Sequence, residues 1–157
     1  MKNILSLAIL TGVFAACNPT TQTSSTTEDS TATAVAPAVT MKGPQCFEQQ
    51  NAADTFLMQL RVTDAGVEGD LKYGFKEKDK NTGQFAGVMY GDTLLADYHF
   101  MSEGKTSVRQ VAFLITDSTA TEGYGDMEDK DGKMVFKNSE SLTFGKGIVM
   151  KKTECKN

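Results

Sequence analysis

Residues 67–78 read VEGDLKYGFKEK, and this stretch decides the fold class. Leu71, Tyr73 and Phe75 fall on one side of an extended chain, and Glu68, Asp70, Lys72 and Lys76 on the other. A period of two is what a half-buried β-strand requires. The preceding stretch, Thr55 to Thr63, repeats the pattern, with Phe56, Met58, Leu60 and Val62 against Gln59 and Arg61.

Working outward, β-rich or alternating runs cover Gln84–Tyr90, Thr93–Met101, Ser107–Thr116, Ala120–Glu128 and Lys133–Lys137. A last pair covers Leu142–Phe144 and Ile148–Thr153, and Cys46–Gln50 is a short opening strand. Turn signals separate them: Asp64-Ala65-Gly66, Asp79 to Gly83, Gly91-Asp92, Ser102-Glu103-Gly104, Asp129 to Gly132, Asn138 to Ser141 and Gly145-Lys146-Gly147. Short strands at this spacing predict an all-β domain, an antiparallel meander of about 8–10 strands. Closure into a small barrel is expected, because it removes the unpaired edges that an open sheet exposes. A small barrel is either filled by side chains or encloses one ligand. Nine Phe, four Tyr and no Trp leave both readings open.

The chain of 157 residues begins like an exported precursor. Lys2 supplies a positive n-region, Ile4 to Val13 a short apolar run, and Ala15-Ala16 the small residues before a cut. The run falls short of the roughly 20 apolar residues of a permanent span. Phe14-Ala15-Ala16-Cys17 resembles the lipobox of bacterial lipoproteins, with phenylalanine where leucine is usual. The resemblance implies cleavage after residue 16, a signal peptide over 1–16, and lipidation of Cys17 by diacylglycerol and a further acyl chain such as palmitate. Each buried CH₂ contributes roughly 0.8 kcal/mol, and two or more chains make anchoring stable. Asn18 after the cysteine points to the outer membrane by the same resemblance, in a periplasmic or surface-exposed position.

Residues 18–40, rich in Thr, Ser and Ala and free of aromatics, cannot bury enough apolar area to offset their ordering entropy. With Cys17 they read as a flexible linker over 17–40, which leaves 41–157 as one β-barrel domain. Net charge is −4 and pI about 5.0, with no basic patch to suggest nucleic acid. The basic tail (Lys146, Lys151, Lys152, Lys156) and the acidic stretch from Glu122 to Asp131 are both expected to be solvated surface. With Cys17 assigned to lipid, Cys46 and Cys155 remain at the two ends of the domain. In an oxidising compartment a disulfide is the simplest reading of such a pair, two free thiols being the alternative. Without a CxxC motif, neither redox chemistry nor zinc is indicated.

The richest mixture of polar and aromatic groups runs from Gly91 to Phe113. Arg109 shares its strand face with Val111, Phe113 and Ile115, and an inward arginine needs compensation. Two readings follow: a structural ion pair with Glu103 or Asp97, which is the preferred one, or an anion-binding group in the barrel mouth. His99, the single histidine, is expected to be exposed and lacks companions for catalysis or metal binding. Asp129-Lys130-Asp131-Gly132 fails the register of a calcium loop, whose first and last positions would be Met127 and Asn138. A DG hairpin turn accounts for the same residues. No metal or cofactor is expected.

Several pieces together resemble uncharacterised lipoproteins of Bacteroidota: Glu77-Lys78-Asp79-Lys80-Asn81, Gly91-Asp92-Thr93-Leu94, Ala96-Asp97-Tyr98, Ser102-Glu103-Gly104, Ser107-Val108-Arg109 and Glu122-Gly123-Tyr124-Gly125. The expected architecture is similar to small calycin-type barrels, a likeness of fold that licenses no function. The expectation is a non-enzymatic binding or interaction domain, held at the membrane by its lipid, whose partner is a small apolar ligand, a glycan or a protein. A periplasmic inhibitor or structural lipoprotein is the alternative. An envelope hydrolase using Asp97 and Glu103 ranks below both.

Overall fold

The computed structural model describes Met41, residues 43–76 and residues 80–156. The expected signal peptide, Cys17, the expected linker and the Glu77–Asp79 part of one expected turn lie outside the described residues. Ten strands form among the described residues: β1 (Gln45–Gln50), β2 (Thr55–Thr63), β3 (Gly66–Gly74), β4 (Asn81–Tyr90), β5 (Thr93–Ser102), β6 (Lys105–Ile115), β7 (Thr119–Tyr124), β8 (Met127–Lys130), β9 (Lys133–Phe136) and β10 (Thr143–Thr153). A 3₁₀ turn, Ser139–Ser141, precedes β10, and Asn138 caps it by accepting from the Glu140 N–H.

The fold is all-β, an antiparallel closed barrel of eight strands. β1 to β6 pair successively, β6 pairs with β7, β7 with β10, and β10 returns to β1. The simple meander breaks at one place. The expected single strand Ala120–Glu128 is two strands, interrupted at Gly125-Asp126, where a Cβ on Gly125 would lie 2.7 Å from a Leu142 methyl carbon. The chain leaves the barrel there, makes the β8–β9 hairpin, and lays β9 parallel to β6 at Val108–Lys133 and Arg109–Met134. The two expected terminal runs are instead one strand, β10, whose register shifts between Phe144 and Val149. Side chains support that irregular stretch: Gln49 accepts from the Val149 N–H and Tyr124 from the Ile148 N–H.

Alternation fills the interior. Phe56, Met58 and Leu60 from β2, Leu71 and Tyr73 from β3, Leu94 and Tyr98 from β5, and Phe113 and Ile115 from β6 are all buried together with Phe47 and Met150. Val62 belongs to the same face by parity but sits at the β2–β3 tip and is exposed. Gly69 lets β3 bend inside the wall, since a Cβ there would lie 2.0 Å from the Gln59 carbonyl oxygen. The Cys46–Cys155 disulfide is formed, with Cα atoms 5.2 Å apart. It ties the start of β1 to the segment after β10.

Two hairpins carry left-handed residues in pairs. Glu103 and Gly104 (φ 51° and 74°) join β5 to β6, and Asp131 and Gly132 (56° and 81°) join β8 to β9. Consecutive positive φ values are the signature of the two-residue turns that match strand twist. The Gly132 N–H donates to the Asp129 carboxylate. The DG turn expected from the sequence is therefore present.

Candidate functional site

Near the end of the barrel where β5 turns into β6, five strand residues from four different strands meet. Tyr73 comes from β3, Tyr98 and Phe100 from β5, Arg109 from β6 and Glu122 from β7. Strand parity turns all of them inward. The Arg109 guanidinium carbon lies 4.9 Å from the Tyr73 ring centre, 5.8 Å from Tyr98 and 5.6 Å from Phe100. Tyr98 and Phe100 stack with centres 4.9 Å apart and planes inclined by 13°. A cation over such faces is attracted by the ring quadrupoles, most strongly where water is excluded.

Glu122 is the buried charged residue of the described chain. Tyr73 donates to its Oε1 at 2.6 Å and Tyr124 to its Oε2 at 2.8 Å. Both carboxylate oxygens thus receive a phenol proton, which compensates burial. Tyr98 donates to the Leu71 carbonyl at 2.8 Å.

These environments hold the phenols protonated. Burial first, and the Glu122 charge second, push Tyr73 well above the ordinary value of 10.0, with Arg109 only partly opposing them. Burial also raises Tyr98, against Arg109. Tyr124 is pushed up to about 12 by burial and by Glu122. The unfolded chain releases these protons from about pH 10 upward while the folded chain keeps them, so stability falls as pH rises. We expect alkaline unfolding that is flat below about pH 10 and steep above it. In Tyr73→Phe the slope in that window should be shallower. Identical slopes in a pH-jump denaturation series would refute this.

The expected ion pairs of Arg109 do not form. Asp97 pairs with Lys133 of β9, because the hairpin that replaces β7 beside this part of β6 brings a lysine to it. Glu103 occupies the left-handed first position of the β5–β6 turn. The Ser102–Lys105 pair closes that turn, whereas Arg109 lies opposite Tyr98. Four residues of strand separate Lys105 from Arg109, roughly 13 Å. Asp97 and Glu103 are likewise not brought together as two catalytic carboxylates would be. Compensation for Arg109 comes from the three rings instead.

Sequence reasoning placed Glu122 in a solvated acidic surface. That holds for the exposed Asp126, Asp129 and Asp131 but not for Glu122. The available signal was its parity with Ala120, both directed inward. His99 is exposed, as expected, in an outer-wall groove of about 330 Å³ that Gln59, Asp70 and Gln84 also line. Among the described residues no group of three or more His, Cys, Asp or Glu could hold a metal.

A larger groove, about 570 Å³, lies on the outer wall between the β4–β5 hairpin and the Ser139–Phe144 segment. Tyr90, Leu95, Leu142 and Phe144 give it an apolar lining, with Ser139 and Glu140 at its polar side. Tyr90 is 65% exposed. Phe144 packs over Gly123, where an added Cβ would lie 2.6 Å from its ring.

Fold and site together define a closed, side-chain-filled antiparallel barrel with an arginine held on aromatic faces. Comparison of the chain with protein families, curated proteins and solved structures finds no match in any of the three.

Proposed function

We propose that this protein is a lipid-anchored lipoprotein of the cell envelope whose barrel is a non-enzymatic interaction domain. The supporting observation is that core side chains occupy the barrel interior, while the grooves lie on the outer wall. A ligand inside the barrel would have to displace Tyr73, Tyr98 and their neighbours, whereas the Tyr90–Phe144 groove is open. Its volume is within the range of about 300–1,000 Å³ seen for binding sites. Its apolar lining beside exposed Tyr90 suits a protein segment better than a glycan, which needs more polar partners. Anchoring rests on the Lys2, Ile4–Val13 and Ala15-Ala16-Cys17 series.

One experiment in the native host tests both parts. A clickable palmitate analogue should label the wild type, and Cys17→Ser should lose both label and membrane retention. A photocrosslinking residue at Tyr90 should give a discrete adduct that the same probe at Asp117, another exposed position, does not. Membrane retention of unlabelled Cys17→Ser would overturn the anchor. The same adduct pattern from both positions, or none, would overturn the groove as an interaction surface.

A further inference from the structure

The pairing of β6 leaves a seam in the barrel wall. Its ladder to β7 ends at Ala112–Gly123, and its ladder to β9 begins at Arg109–Met134. Gln110 and Val111 lie between. A cleft of about 90 Å³ opens at this place, lined by Arg109, Glu122, Tyr124, Met127 and Phe136 among others. The Gln110 side chain forms its lip by accepting from the Phe136 N–H.

Arg109 lines this cleft and keeps one unused donor beside it. Among the described residues its Nε is buried without a hydrogen-bond partner, and none of the four ion pairs there includes it. Aromatic faces stabilise the charge but accept hydrogen bonds poorly, and the Tyr73 phenol oxygen engages part of the guanidinium, so the Nε–H is the donor left without an acceptor. A planar guanidinium matches the two oxygens of a carboxylate. The Glu122 carboxylate in the same cleft is already committed to Tyr73 and Tyr124.

We propose that this seam is a binding site for a carboxylate-terminated small molecule, with Arg109 as the receiving group and Met127 and Phe136 as the apolar surface for the rest of the ligand. Size and charge narrow the class. At about 90 Å³ the cleft suits a carboxylate with a short apolar group rather than a long chain. Glu122 opposes Arg109 in formal charge, which selects a monoanion over a dianion. The site is independent of the tether and of the Tyr90 groove.

The test uses the full-length chain in a non-ionic detergent, with the Arg109 Nε–H resonance observed by NMR during titration with acetate, benzoate and inorganic phosphate. Acetate should move the resonance along a saturable curve. Benzoate should bind at least about tenfold more tightly, because its ring covers Met127 and Phe136, and phosphate more weakly than acetate. Arg109→Gln should weaken benzoate binding at least about tenfold, read by calorimetry. The wild-type titration decides even where that variant unfolds. An Arg109 resonance that tens of millimolar acetate and benzoate leave unmoved, or that chloride moves equally, overturns the proposal. So does phosphate binding as tightly as acetate, or unchanged benzoate affinity in a folded Arg109→Gln.

Discussion

Replacing both Cys46 and Cys155 with alanine is expected to lower the unfolding free energy by about 4–5 kcal/mol, measured by urea denaturation against the oxidised wild type. The bridge spans 109 residues of sequence. Closing a loop of that length removes much of the unfolded chain's conformational freedom in the chain-entropy account. Position adds to length. β1 and β10 meet over three residue pairs, Cys46–Thr153, Phe47–Lys152 and Glu48–Lys151, whereas β2 and β3 share nine. The disulfide therefore lies at a short seam of the closed barrel. Amide exchange in the double variant should rise first at Phe47, Glu48 and Lys151 to Thr153. An unfolding free energy within about 1 kcal/mol of the wild type would show that the seam holds without the bridge.

The second large effect is expected at Tyr98. Tyr98→Ala should cost about 3–5 kcal/mol, the range for deleting a buried aromatic side chain. Tyr98 is fully buried. Its ring stacks on Phe100, lies 5.8 Å from Tyr73 and presents a face to the Arg109 guanidinium. Deletion would leave a void and remove one face from beneath a half-buried cation. Tyr98→Phe isolates the smaller contribution. It keeps the packing and removes the hydrogen bond to the Leu71 carbonyl, so it should cost about 1 kcal/mol. Thermal and urea unfolding of the two variants side by side provide the check. If phenylalanine destabilised as much as alanine, packing around the ring would not be what holds the site.

On the proposed reading, stability and recognition use different parts of this barrel. The interior, closed by the disulfide and packed from Phe47 to Met150, resists change. The places where the regular ladder fails border the unpartnered Arg109 donor and the Tyr90–Phe144 groove. β7 ends early, β8–β9 departs from the wall, and β10 shifts register. The Arg109 seam and the Tyr90–Phe144 groove both border these irregularities. Loops and ladder breaks commonly carry function because a rigid scaffold holds them in place.

Much of the fold is legible in the sequence. The alternation in Thr55–Thr63 and Val67–Phe75 defines β2 and β3 to within a few residues, because inward and outward positions differ sharply in polarity. The DG and EG turns are equally readable, since two-residue hairpins demand residues that tolerate positive φ. The Cys46–Cys155 pairing followed from the count of thiols. Strand partners beyond nearest neighbours were not readable. That β9 lies parallel to β6, and that β10 intervenes between β7 and β1, depends on which of several compatible edges packs best over the whole barrel.

The same division applies to the site. Inward placement of Arg109 came from its own strand, because parity is a local property. Its compensation did not. Three rings from β3 and β5, rather than Asp97 or Glu103, surround it, and Lys133 takes Asp97 only because β9 crosses there. Glu122 looked like surface in an acidic run and became the buried acceptor for two tyrosines. Local periodicity determines which side of a strand a residue takes. Whether that side is occupied by a charge, a ring or water depends on long-range pairing, since the partners lie tens of residues away and meet only when the barrel closes.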